Sequence, residues 1–209
     1  MMKSTLFILL NIVLIVTAVT YVNFDPHKNC GGTNPNGEGI GYSWITGTCL
    51  NLDQGSYLIE IDPHDSNTAI FYFFSNPNSK CAQGEPNVTK SYAVNTCYPA
   101  QWIYDRAFYN VYNYAVMSIV EDPGYQPLEG YRYTLYQKQD TVCHADYLMY
   151  YYYTNDMKFH NTMQTFLYQC VDETPYETLC TQGLPCINST IYFTCQNTNS
   201  NKYHYSITC

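Results

Sequence analysis

Ten cysteines, Cys30, Cys49, Cys81, Cys97, Cys143, Cys170, Cys180, Cys186, Cys195 and Cys209, set the strongest limit on what this chain can fold into. All ten lie behind the apolar run Thr5–Thr20, which follows a single positive charge at Lys3 and closes on the small residues Ala18 and Thr20. That layout is what a secretion signal requires, so residues 1–20 are expected to be a signal peptide and residues 21–209 a disulfide-rich extracellular β region. The run is also near the lower length limit for crossing a bilayer, so an anchor at residues 4–20 is the alternative. Either way the remainder reaches an oxidising compartment.

An even number of cysteines in that compartment predicts five disulfides and no free thiol. A zinc site would call for tight pairs such as C-x2-C, and the closest two cysteines, Cys180 and Cys186, are spaced more widely. No metal or other cofactor is therefore expected. Ten cysteines allow roughly nine hundred pairings, among which bridges between sequence neighbours are preferred here. The sequons Asn87-Val88-Thr89 and Asn188-Ser189-Thr190 agree with a secretory route and mark Asn87 and Asn188 as glycosylation sites.

Charge narrows the partners. The chain carries a net charge of −8, and the leader takes one lysine with it. Such a balance repels a phosphate backbone, so nucleic acid and, after signal cleavage, membrane surfaces are excluded as partners, leaving extracellular protein or carbohydrate.

Local patterns point to strands throughout. Ser56–Ile61 and Ala69–Phe74 are β-branched and aromatic, and Asp62–Thr68 between them is turn chemistry, which predicts a hairpin whose second strand is interior to a sheet. Asp62, His64 and Asp65 read as that turn, because they lack the glycine and terminal glutamate of a calcium loop. Tyr21–Gly41, with Pro26, Pro35 and several glycines, reads as a loop tethered by Cys30. Gln101–Glu121 is rich in Tyr, Val and Ile and is expected to be extended. Glu121–Gly130, containing Pro123-Gly124 and Pro127, is the candidate internal boundary. Cysteines preceded by Thr, as at Cys49, Cys97, Cys195 and Cys209, belong on strands or strand ends, since the branched Cβ of Thr favours extended backbone. The stretches Ile70–Cys81 and Tyr131–Cys143 echo one another, each an aromatic strand followed by a polar turn and a cysteine, which suggests two related β units. The fold class is all-β, antiparallel and disulfide-rich, a sandwich-like arrangement of about ten short strands.

Tyrosine is used 24 times in 209 residues, most densely at Tyr150, Tyr151, Tyr152 and Tyr153. On a strand these four rings alternate between faces, one pair inward and one pair toward solvent, and form the candidate binding surface. The same rings also serve as ordinary sheet packing. Catalytic patterns are weaker. The five histidines, His27, His64, His144, His160 and His204, show no metal-binding helix spacing, and there is no G-x-S-x-G. Glu60 is the only glutamate in apolar company, and a strand with one solvent-facing side accounts for it. The expected function is thus a secreted, cysteine-rich glycoprotein with a non-enzymatic binding or extracellular matrix role, contacting through Tyr-rich strand faces. A secreted polysaccharide hydrolase using a carboxylate pair, and a signal-anchored surface protein, are the alternatives.

Overall fold

The computed structural model describes residues 19–27, 30, 39–52, 55–76, 80–82, 84–99, 114–121, 130–160, 163–191, 193–200 and 202–209. Among them are sixteen strands and no helix: β1 (Tyr21–His27), β2 (Ile40–Ile45), β3 (Leu50–Leu52), β4 (Gly55–Asp62), β5 (Asp65–Phe74), β6 (Val88–Ala93), β7 (Cys97–Pro99), β8 (Tyr114–Val120), β9 (Gly130–Gln137), β10 (Met149–Thr154), β11 (Met157–His160), β12 (Gln164–Val171), β13 (Thr174–Thr181), β14 (Ile187–Thr190), β15 (Phe193–Asn197) and β16 (Tyr203–Thr208). The expected leader lies outside the described residues except for Val19 and Thr20. No described helix is long and apolar enough to cross a membrane.

All pairings are antiparallel, and they form three sheets. Two are four-stranded meanders, β3-β4-β5-β6 and β11-β12-β13-β14; the third has the order β15-β16-β9-β10-β2-β1-β8-β7. Read outward from its middle, the large sheet runs β2-β1-β8-β7 one way and β10-β9-β16-β15 the other. Each half is therefore the same unit: two strands, a four-stranded meander, then two strands that return to the outer side. The disulfides repeat as well. Cys30, following β1, bonds Cys97 at the start of β7, and Cys143, following β9, bonds Cys195 in β15.

This duplication has a different alignment from the echo read in the sequence. Ile70–Cys81 contains the second half of β5, whereas the positional counterpart of β9 is β1. An aromatic strand followed by a polar turn and a cysteine is common in a chain so rich in tyrosine, so the resemblance of β5 to β9 reflects composition. The Glu121–Gly130 stretch joins the end of β8 to the start of β9; residues 122–129 lie outside the described residues, as do 100–113 of the stretch Gln101–Glu121, whose remainder holds β8.

The segment expected to be a tethered loop is corrected by two strands, β1 and the start of β2. Pro26 is accommodated because β1 pairs with β2 only as far as Phe24↔Tyr42, so proline lies beyond that ladder. Its partner on the other side is Ala115 of β8, too distant in sequence for any local pattern to show. The expected hairpin is present, but the strands close tightly on Pro63-His64 and β5 begins at Asp65. There Asp62 accepts the His64 N–H at 2.8 Å, while Asp65 accepts the Asn67 N–H at 3.0 Å and the Thr68 hydroxyl at 2.7 Å. These carboxylates serve the turn. β5 is interior to its meander, and Glu60 on β4 faces solvent.

All ten cysteines are paired, as five disulfides. Neighbour pairing holds for Cys49–Cys81 and Cys180–Cys186, whereas Cys30–Cys97, Cys143–Cys195 and Cys170–Cys209 pass over intervening cysteines. The other neighbours fail because the bridges join strands that return to one another after a meander.

The core lies where the two meanders cover one face of the large sheet. Strand register puts Val22, Phe24, Tyr42, Trp44, Met117, Leu135 and Met149 on that face, and all are buried. Against the first meander, Trp44 meets Tyr57 at 5.8 Å and Phe71 edge-on at 6.2 Å, and Phe24 meets Tyr92 edge-on at 5.5 Å. Such contacts contribute about 0.5–1.5 kcal/mol each beyond the area they bury. The second meander makes its contact through Tyr168, whose ring lies 5.0 Å from Tyr131 and 4.4 Å from Tyr153.

Candidate functional site

The four consecutive tyrosines of β10 do not divide into an inward pair and a solvent pair. Tyr150 and Tyr152 point to one face, Tyr151 and Tyr153 to the other, and Tyr150, Tyr152 and Tyr153 are all buried. Tyr152 gains its space from the residue paired with it, Gly41: a side chain there would collide with the tyrosine ring. Tyr150 packs on Tyr147 at 4.9 Å, with the Arg132 guanidinium 5.9 Å from its ring centroid, a cation–π geometry. Tyr153 stacks on Tyr168 and Tyr131. Sheet packing therefore accounts for three of the four, and only Tyr151 stays partly open.

Tyr151 opens into a groove of about 380 Å³. Its floor is the core face of the large sheet, in the part that the second meander leaves uncovered. Three strands contribute rings in parallel. Tyr133 of β9 lies between Tyr151 of β10, at 5.0 Å and 12°, and Tyr205 of β16, at 5.1 Å and 18°. The register explains the ladder, since Tyr151 pairs directly with Tyr133, and Tyr205 sits diagonally across from it beside Leu135. All three rings are half-buried.

One wall comes from the first meander through Asn51, Leu52 and Tyr57, and the rim beyond β15 carries Thr198, Asn199 and Ser200. Tyr203 ties wall to floor: its hydroxyl accepts the Asn51 backbone N–H at 2.7 Å. Burial raises the Tyr203 and Tyr131 hydroxyls above the ordinary tyrosine range, so both are neutral at any physiological pH. No Asp, Glu, Lys, Arg or His is among the described residues that line the groove. Its chemistry is that of flat rings edged by amides and hydroxyls, suited to an uncharged ring with its own hydroxyls or to an aromatic side chain.

Tyr131, Tyr133, Tyr203, Tyr205 and Asn51 escaped notice in the sequence. The signal that could have pointed to them is the period-2 pair Tyr-x-Tyr at 131/133 and 203/205, which places two rings on one face of a strand. The glycosylation candidates lie elsewhere, on the meanders. Asn87 immediately precedes β6 and Asn188 is on β14; both side chains are exposed. Among the described residues no group of three or more His, Cys, Asp or Glu is placed to hold a metal ion.

The family profile of counting factor-associated protein A/B/C matches residues 2–208. The chain belongs to that family. The match spans both β units, all five disulfides but for the terminal Cys209, and every residue of the groove. No curated protein matches the chain significantly, and neither does any solved structure.

Proposed function

We propose that this member of the family is secreted and acts by binding, not by catalysis, with the tyrosine groove as its contact site. The observation that supports this best is the Tyr151–Tyr133–Tyr205 ladder, three parallel half-open rings in a concave, uncharged setting. Rings of this kind stack on the apolar faces of sugars, and tyrosine offers large contact area at low entropic cost. Neutral carbohydrate is the ligand class that fits. The five disulfides support an oxidising destination, and they supply the stability that a sheet protein with a partly uncovered core face needs. The hydrolase alternative finds no carboxylate pair among the described residues of the groove.

The family name favours a second reading, in which the occupant is an aromatic or apolar side chain of a protein with which this chain associates. One experiment serves both. Protein from a secreting culture, with Tyr151→Ala and Tyr205→Ala variants that keep the wild-type unfolding midpoint, is titrated against neutral oligosaccharides and against secreted proteins from the same culture. At about 1 kcal/mol or more per stacked ring, each variant is expected to bind at least about fivefold more weakly. Variants that retain every ligand of the wild type with unchanged affinity would remove the groove from the proposal.

A further inference from the structure

The duplication gives the two sequons a common position. β6 and β14 are the last strands of their meanders, and each is a free edge of its sheet. Asn87 stands immediately before β6 and Asn188 is the second residue of β14. In both, the amide oxygen is held by the protein: Asn87 Oδ1 accepts the Ser75 N–H at 2.6 Å, and Asn188 Oδ1 accepts the Thr178 hydroxyl at 3.3 Å. Each side chain is exposed, and the bond to the oxygen leaves the amide nitrogen, the atom that carries an N-glycan, available for attachment.

Both edges also need cover. An edge strand presents unpaired backbone groups and recruits other strands unless charge, proline, a bulge or bulk prevents it. Beside each sequon asparagine lies an exposed apolar residue, Val88 at 38% and Ile187 at 62% exposure. β6 carries Lys90, and the opposite edge strand of the second meander, β11, carries Lys158. β14, with the sequence Ile-Asn-Ser-Thr, has no charge, no proline and all four residues exposed. Of these edges, β14 depends most on a covalent cap.

We propose that Asn87 and Asn188 carry N-linked glycans whose role is to cap these equivalent edges and keep the chain from pairing edge to edge. The inference rests on the secretory route proposed above. The attached sugars exclude a second strand by volume.

The test uses full-length protein recovered from the medium of a eukaryotic secreting culture. Intact mass is expected to show added glycan at both positions, and light scattering after gel filtration a monomer. Enzymatic removal of N-glycans from the folded protein should move it to dimers or larger species. Asn188→Gln should do so more than Asn87→Gln, and Asn188→Gln/Ser189→Lys should restore the monomer by placing a charge on the bare edge. Secreted protein without glycan at both sites, or a deglycosylated protein that stays monomeric at the same concentration, would overturn the capping role while leaving secretion intact. Absence from the medium would instead overturn the secretory route. Trimming the folded wild type keeps the test decisive even where Asn188→Gln fails to reach the medium.

Discussion

Removing disulfides one at a time should reveal the duplication as energies. In the loop-entropy picture the stabilisation depends on the length of chain that each bridge closes. Cys30–Cys97 and Cys143–Cys195 close separations of 67 and 52 residues, which gives about 4.4 and about 4.1 kcal/mol. Cys180–Cys186 closes a separation of 6, which gives about 2.2 kcal/mol. That bridge spans the turn between β13 and β14, strands already paired by a ladder. Three variants, Cys30→Ala/Cys97→Ala, Cys143→Ala/Cys195→Ala and Cys180→Ala/Cys186→Ala, compared by equilibrium urea unfolding under non-reducing conditions, measure the differences. With a urea slope of about 2 kcal/mol/M, the first two should each lower the midpoint by about 2 M and the third by about 1 M. The first two should also agree with each other, since they are the same bridge in two copies of one unit. A loss for Cys180–Cys186 equal to that for Cys143–Cys195 would refute the entropic reasoning. A gap above about 1 kcal/mol between the two equivalent bridges would refute their energetic equivalence.

Three further outcomes are expected. Gly130→Ala should cost about 2–3 kcal/mol, read by urea midpoint, because a Cβ there meets the Tyr153 carbonyl oxygen, which is backbone and cannot step aside; Gly41→Ala meets only the Tyr152 ring, so combining it with Tyr152→Ala should cost less than the two changes added separately. Burial raises the Asp25 carboxyl above its ordinary 3.8, so the native state holds that proton more tightly than the unfolded chain; the associated stability is present below pH 3.8 and is lost as pH rises through the raised value. Asp25→Asn should therefore be more stable than wild type at pH 7, with the difference vanishing toward pH 3.8, and parallel stability profiles for the two proteins would contradict this. Finally, the Thr20 carbonyl accepts both the backbone N–H and the hydroxyl of Thr46, at 2.9 and 3.0 Å, so a chain beginning at Tyr21 should be about 1–2 kcal/mol less stable in urea unfolding than one that keeps Thr20.

What the sequence displayed well was anything decided within a few residues. The β4–β5 hairpin is a local event, with β-branched and aromatic runs on either side of Asp-Pro-His-Asp, and it was visible with only its turn drawn too wide. The all-β class and the complete pairing of cysteines were equally visible, because composition and the even cysteine count point to them. What it hid depends on partners that arrive later. β1 looks like a loop since its Pro26 is tolerated because the ladder to β2 stops at Phe24, and its partner β8 arrives about ninety residues later. Three of the five bridges pass over their nearest cysteine neighbours for the same reason. The candidate site shows both sides: the Tyr150–Tyr153 run drew attention to one strand of the groove, but solvent exposure depends on Gly41, Tyr168 and the reach of the second meander. The ladder is made across three strands and has no linear signature.

The nesting of each meander inside a pair of returning strands also dictates an order in time. A chain made from its N-terminus releases β1 and then waits through some ninety residues before β8 can pair with it, since the register joins Tyr21 to Val120. At 5–20 residues per second that delay is on the order of ten seconds, during which the meander β3–β6 has every local contact it needs. Throughout that interval the Cys30 thiol meets Cys49 and Cys81 before Cys97 exists. A Cys30–Cys49 or Cys30–Cys81 bridge made in that interval is non-native, whereas Cys49–Cys81 is native, and correcting the former takes thiol–disulfide exchange. Yield should then depend on an isomerase more than on an oxidant, and the second unit repeats the problem while Cys143 waits for Cys195.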